Sequence, residues 1–211
     1  MSSKSSCREW TGWSVLSMCK VGVMLLVAML CLAACKVLFW EPRAPQRSFE
    51  LEDLLIGQEV IPSVWKDSWG PLYQSGDDLC TTECVAIRFG VAGRESHIQA
   101  VHNVYRYLSA GIARRTFEKV YLPSKVYLKA VDEWPYESTT AEQSHFGCYS
   151  DGRSTPTCQW AGQYEEYIVV FWTRMTPGEV SLADIEKAVR AIDARMALYL
   201  NKAVTPTPDT E

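Results

Sequence analysis

The sequence is poor in the residues and motifs on which most enzymes depend. It has three histidines among 211 residues, and it contains no nucleophile elbow, phosphate-binding loop or dinucleotide-binding fingerprint. His97 and His102 lie five residues apart on a predicted strand, so they would face opposite sides of a sheet and could not share a metal ion. Adjacent acids such as Glu165 and Glu166 are typical of a solvated turn, or of a strand with one acid on each face. We therefore expect no catalytic residue, no metal site and no cofactor.

The chain also lacks a concentrated run of positive charge. Its formal net charge is −4, and residues 1–34 carry +2, which leaves −6 for residues 35–211. An acidic domain without a stripe of lysine and arginine does not favour nucleic acid or anionic lipid headgroups as its main partner. We expect no nucleic-acid binding.

One apolar run is the strongest feature that the sequence does contain. Residues 21–35 include no charged side chain, and Lys20 and Lys36 flank them. A helix of this length spans about 22 Å, which is shorter than the ~30 Å hydrocarbon core of a bilayer. Residues 37–40 are also apolar, and a helix over 21–40 spans the bilayer if Lys36 reaches the headgroups. The sequence predicts an anchor over 21–40 after a short cytoplasmic segment over 1–20.

The end of the apolar run allows a second form of membrane attachment. Leu32, Ala33, Ala34 and Cys35 resemble a bacterial lipobox, in which small residues precede a cysteine that is lipidated and becomes the mature N-terminus. Under this interpretation the preceding residues are a signal peptide and Cys35 carries the lipid. Both forms of attachment place the rest of the chain outside the cytoplasm, at the cell membrane.

Four of the eight cysteines fall beyond the anchor, at Cys80, Cys84, Cys148 and Cys158. An even number in an exported domain predicts two disulfides, and three pairings are possible. Cys148 and Cys158 bracket a turn-rich stretch between two predicted strands, and Cys80 and Cys84 could close a small ring. A zinc site is the alternative, but the spacings C-x3-C and C-x9-C differ from the usual C-x2-C.

The composition beyond the anchor divides into three parts. Residues 41–47 contain two prolines and two arginines and predict a short, stiff linker. Residues 48–202 carry the patterns of one domain of comfortable size. Residues 203–211 are typical of a disordered tail.

Periodicity within residues 48–202 predicts an α+β domain. Helices are indicated over 49–56, after Ser109 and after Ser181. Strands are indicated over 84–91, 97–107, 143–149 and 157–173, the second with a bulge midway because its apolar side chains change face. Residues 126–134 fit either a strand or a helical turn. We expect an antiparallel sheet of about four to five strands, covered on one face by helices.

Five aromatic residues form the candidate binding surface. They are Trp65, Trp69, Tyr73, Trp134 and Tyr136, in loops that contain proline. Binding residues often lie in such loops, where aromatic rings can line an apolar or sugar-binding groove. The alternative is that these rings cap the edges of the core.

Three stretches resemble a group of bacterial domains. Residues 51–65, with Ile61 and Pro62 ahead of Trp65, resemble the short helix and Leu-Pro-x-x-Trp turn that begin many uncharacterised bacterial membrane-anchored or lipoprotein-like domains. Residues 158–172 resemble their cysteine-led central strand, and residues 184–200 resemble their closing helix. At the level of pattern, the chain is also similar to extracellular sensor domains of bacterial serine/threonine kinases. These resemblances imply an α+β fold with two disulfides outside the cytoplasm, and they supply no catalytic residues to carry over.

The sequence as a whole favours a membrane-anchored extracytoplasmic module that binds a ligand or a protein partner without catalysis. Residues 1–20 are too few to form a cytoplasmic signalling domain, so a signal would have to pass through a partner. Two alternatives stay open, an accessory subunit of a larger membrane complex and a small secreted hydrolase. No pattern indicates the identity of the ligand.

Overall fold

The computed structural model describes residues 41–65, 67–73, 82–91, 98–122, 134, 136–150 and 155–201. The chain divides into two compact units, Met1–Pro42 and Arg43–Glu211. Almost all of the first unit lies outside the described residues, including the predicted anchor over 21–40 and the predicted lipidation site at Cys35. No helix in the described part of the chain is long and apolar enough to cross a membrane.

Within the described residues, the second unit contains six strands, two α-helices and two short 3-10 turns. The 3-10 turns are Leu51–Leu54 and Gln58–Val60. The strands are β1 (Asp67–Tyr73), β2 (Glu83–Gly90), β3 (Ile98–Arg106), β4 (Gln143–Tyr149), β5 (Thr157–Tyr164) and β6 (Tyr167–Arg174). The helices are α1 (Ala110–Val120) and α2 (Leu182–Leu200).

The six strands form one antiparallel sheet in the order β1-β2-β3-β6-β5-β4. Along the chain, two three-stranded meanders are each followed by a helix. The third strands of the meanders, β3 and β6, meet at the centre, where Val104 lies opposite Val169 and Tyr105 lies opposite Ile168. The predicted α+β class is confirmed.

Both faces of the sheet are buried against helices. On one face, Val104 and Val169 belong to the main core, which also contains the apolar side of α2. On the other face, Tyr105 and Ile168 pack with Phe117 of α1. Because neighbouring residues of a strand point to opposite faces, α1 and α2 lie on opposite sides of the sheet. The expectation that helices cover only one face is therefore wrong.

The sheet has more strands than the four to five expected, for two reasons. Residues 67–73 contain Gly70 and Pro71 and read as a loop, but they form edge strand β1, where proline is tolerated because only one side is paired. Residues 157–173 read as one strand, but they form most of a hairpin whose two-residue turn is Glu165 and Glu166.

Two local predictions also need correction. The helix expected over 49–56 is a four-residue 3-10 turn, Leu51–Leu54. β3 has no bulge midway, because its side chains are buried on both faces. Its register shift lies at the start of the strand, opposite Phe89 and Gly90.

The two α-helices begin where the sequence predicts. Ser109 accepts a hydrogen bond from the backbone N–H of Ile112, and Ser181 accepts one from Asp184. Such side-chain caps satisfy N–H groups that have no partner within the helix. The predicted apolar stripe of α2 faces the main core, with Ile185, Val189, Ile192 and Met196 all buried.

Candidate functional site

Residues 44–47, the last part of the predicted linker, form a strap attached to one end of the sheet. The N–H of Ala44 donates to the carbonyl of Leu108, just beyond β3, over 2.7 Å. The carbonyl of Pro45 accepts a hydrogen bond from Arg106 over 3.0 Å. These contacts fix the strap beside the ends of β3 and β6.

Arg47 holds the strap through a buried ion pair. Its guanidinium donates to both carboxylate oxygens of Glu166, over 2.9 Å and 2.8 Å, and also pairs with Glu165. The side chains of Arg47 and Glu166 are 3% and 1% exposed. The hydrogen bonds to Glu166 raise the pKa of Arg47 above its ordinary value, so the guanidinium stays charged. Removing one partner of such a pair leaves a buried, uncompensated charge.

The turn that presents these acids has an unusual backbone. Glu165 adopts φ of 48°, in the left-handed region that normally favours glycine or asparagine. A side chain there costs roughly 1–2 kcal/mol. The contact with Arg47 offsets this cost, which gives a physical reason for an acid at this position.

Arg106 lies at the end of β3 beside the strap. Its guanidinium is 3.3 Å from the carboxylate of Glu83, and its central carbon is 6.0 Å from the ring centroid of Tyr167. Thr82 donates a hydrogen bond to the backbone carbonyl of Arg106. The arginine therefore connects β2, β3 and β6 to the strap.

A groove of about 460 Å³ lies between the N-terminal segment and the sheet. Residues 46–47 and 49–52 form one wall. The other wall is formed by Tyr73, Thr82, Glu83, Cys84, Arg106 and Tyr167. The volume falls within the range of small-molecule and peptide side-chain sites.

A smaller groove of about 190 Å³ adjoins the first and shares Thr82, Glu83 and Arg106 with it. Its lining also includes Arg43, Ala44, Tyr107 and the exposed side chain of Leu108. The surface that a partner would meet here therefore extends beyond the main groove.

Carboxylates outnumber cations in the main groove. Glu50, Glu52 and Glu83 face two arginines, and Glu165 and Glu166 already neutralise the buried Arg47. Arg106 is paired with Glu83. Among the described residues, neither Glu50 nor Glu52 forms an ion pair with a cation, so the groove is electronegative.

The five predicted aromatic residues do not form one surface. Trp65 is 1% exposed and lies in the main core, and Trp69 is half-buried on β1. Trp134 and Tyr136 pack against the main core at a different place. Only Tyr73 of this set lines the main groove, where it is 67% exposed. Trp65 fills the core, and Trp134 and Tyr136 cap it, as the alternative interpretation expects, so these three do not line the groove with Tyr73. A binding role for the set stays a prediction.

Asp193 of α2 explains why Trp134 and Tyr136 are held in place. Its buried carboxylate accepts hydrogen bonds from the hydroxyls of Tyr136, Tyr164 and, over 2.9 Å, Ser138. Burial, with Asp193 as a second cause, raises the pKa of both tyrosines above the ordinary value. Trp134 stacks on Phe146, with ring centroids 3.9 Å apart. This cluster fastens the segment before β4 to α2 and the sheet.

The cysteines confirm one disulfide. Cys148 and Cys158 are bonded and lie directly opposite each other on β4 and β5, with Cα atoms 4.0 Å apart. Cys84 is buried on β2 and lines the main groove. Cys80 lies outside the described residues, so its pairing with Cys84 stays a prediction.

The histidines and acids of the described ranges do not cluster. No group of three or more histidine, cysteine or acidic side chains there could hold a metal ion. His102 is buried on β3 and His145 lies on β4, while His97 falls outside the described residues.

The groove residues carry little signal in the sequence. The sequence predicts a linker at Arg47, and at Glu165 and Glu166 either a solvated turn or the two faces of a strand. The turn exists, but the contact that buries Glu166 comes from a residue 119 positions away. No protein-family model, curated protein or solved structure matches the chain.

Proposed function

We propose that this chain is a membrane-anchored, extracytoplasmic binding module without catalytic activity, and that the groove between the strap and the sheet is its binding site. The observation that carries the proposal is the groove itself, about 460 Å³ in volume, with an exposed aromatic ring and two carboxylates that form no ion pair within the described residues. Binding sites combine concave shape with a few directed polar groups in this way.

The walls of the groove are held by interactions that resist rearrangement. Paired strands supply one wall, and the buried pair of Arg47 and Glu166 fixes the other. A pre-organised site loses less conformational entropy when a partner binds. This favours recognition of a partner over a purely structural role for the strap.

The membrane location rests on the sequence. The predicted anchor ends at Trp40, three residues before Arg43 in the smaller groove. The disulfide between Cys148 and Cys158 agrees with an oxidising compartment, since such bonds are rare in the cytosol. We propose that the partner is a protein in the membrane or outside it.

Site-specific photocrosslinking tests the proposal. The full chain, expressed in a bacterial host with an intact membrane, carries p-benzoylphenylalanine in place of Tyr73. The matched control places it at Tyr149, a tyrosine of strand β4 that is 45% exposed and is not part of the groove. The proposal expects one defined product at position 73 that is absent at 149.

A variant of the groove and the pattern of crosslinked products make this result specific. Substitution of the partly exposed Arg106 by Ala should reduce the product at position 73, because this side chain holds the strap, one wall of the groove, through the carbonyl of Pro45. Equal crosslinking at 73 and 149, or none at either, would refute the groove as the binding site. If nearly all of the chain crosslinks to the same membrane protein, the result favours the alternative in which the chain is an accessory subunit of a complex.

A further inference from the structure

On the basis of the proposed function, we infer that the main groove receives the positively charged side chain, lysine or arginine, of a partner polypeptide. The ligand is thus a cation presented by a protein segment.

Two guanidinium groups of the chain itself line the groove, and each is held by carboxylates. Arg106 lies over the ring of Tyr167 with Glu83 beside it, and Arg47 is held by Glu165 and Glu166. Both arrangements place a cation against carboxylates, and the first adds an aromatic face. The same two kinds of group occur elsewhere in the lining of the groove.

Those further groups are the carboxylates of Glu50 and Glu52 on one wall and the ring of Tyr73 on the other. In the described part of the chain, neither carboxylate meets a positively charged group within ion-pair distance. Cations are attracted to the face of a tyrosine ring as well as to carboxylates. A lysine or arginine that enters between these walls meets both.

The charge of the groove disfavours the other classes of ligand. An anionic peptide or a phosphate would meet Glu50 and Glu52, which have no cationic partner among the described residues, and the two lining arginines are already paired. A wholly apolar segment would desolvate these carboxylates without replacing their hydrogen bonds with water. A cationic segment supplies a positively charged partner for the carboxylates of Glu50 and Glu52.

Binding is measured with the full chain in phosphatidylcholine nanodiscs and a fluorescein-labelled Gly-Gly-Arg-Gly-Gly peptide, by fluorescence anisotropy. The comparison peptides carry citrulline or glutamate in place of arginine. Citrulline keeps the shape of arginine and removes its charge. We expect the arginine peptide to bind at least about tenfold more tightly than either, and its affinity to fall as salt screens the interaction.

The matched variants locate the site. E50Q/E52Q should weaken binding of the arginine peptide about five- to tenfold, as expected for the loss of two partly exposed ion pairs. E118Q/E179Q removes the same charge from exposed positions outside the groove and should leave the affinity unchanged. Y73A should weaken binding about threefold, and Y149A should have no effect.

Equal affinity for the arginine and citrulline peptides would overturn the inference, as would equal losses in the two double variants. Failure of this inference is distinguishable from failure of the proposed function. If position 73 crosslinks a defined partner while the arginine peptide does not bind, the groove is a binding site for a ligand of another class.

Discussion

The buried histidine of β3 predicts a loss of stability in mild acid. His102 is fully buried, and its Nδ1 accepts a hydrogen bond from the N–H of Ile56 over 3.2 Å. No residue in the described ranges hydrogen bonds to its Nε2. Burial, with the charge of Arg195 as a smaller cause, lowers the pKa of His102 from 6.5 to about 3. The folded protein therefore holds this imidazole neutral.

The sign and size of the effect follow from proton linkage. Because the folded pKa is lowered, the contribution of His102 is fully present above pH 6.5. This stabilising contribution is lost as the pH falls from 6.5 towards 3, because in this range the unfolded state binds a proton that the folded state does not bind. One pKa unit corresponds to about 1.4 kcal/mol, so the free energy of unfolding should fall by about 2 kcal/mol between pH 7.5 and pH 5 from this group alone.

Urea denaturation of the full chain in detergent micelles, followed by tryptophan fluorescence at several pH values, measures this loss. His102→Asn removes the titrating group and keeps an oxygen that can accept from Ile56. Its free energy of unfolding should be lower at pH 7.5 but should decline less steeply with acid than that of the wild type. Val104→Ala, a buried change on the same strand without a titrating group, should destabilise the protein and keep the wild-type slope. If the profiles of wild type and His102→Asn are parallel between pH 7.5 and 5, the reasoning about His102 is wrong.

Three other changes have expected outcomes in the same denaturation assay at neutral pH. Glu166→Gln should lower the free energy of unfolding by about 3 kcal/mol or more, because it leaves Arg47 buried with one acid partner removed, and a change below about 1 kcal/mol would contradict the buried pair. Asp193→Ala should cost about 2–4 kcal/mol, since three hydroxyls lose their acceptor, whereas a neutral result would show that water replaces the carboxylate. Replacing Cys148 and Cys158 by serine should cost about 2.5–3 kcal/mol by the entropy of the closed loop, and the oxidised and reduced wild-type protein should differ by a similar amount.

The sequence predicts those parts of the fold that depend on neighbouring residues. The caps at Ser109 and Ser181 and the apolar stripe of α2 are local signals, and the structure confirms them. The sequence does not indicate that residues 157–173 divide into β5 and β6. The turn between these strands has Glu165 at a positive φ, where a glycine or asparagine would usually mark such a turn. Strand β1 is hidden by Pro71, which is acceptable only because the strand lies at an edge.

The candidate site is harder to predict, because residues far apart in the sequence build it. Arg47 and Glu166 are 119 positions apart, and Arg106 reaches the backbone of Pro45 across 61 positions. No local pattern encodes such contacts. Of the five aromatic residues in the predicted binding surface, Trp65, Trp134 and Tyr136 fill or cap the core. Only Tyr73 lines the groove.

The position of Arg47 also determines how the domain responds to mechanical force. A pull on the chain upstream of Arg43 reaches the buried pair with Glu166 before it reaches the 3-10 turns and the edge strand β1. Edge strands detach one hydrogen bond at a time when they are pulled from one end, whereas the pair with Glu166 directs the pull to the start of β6, a strand bonded on both sides. A pull applied upstream of Arg43 therefore acts on the ends of β3 and β6, at the centre of the sheet, before it acts on β1.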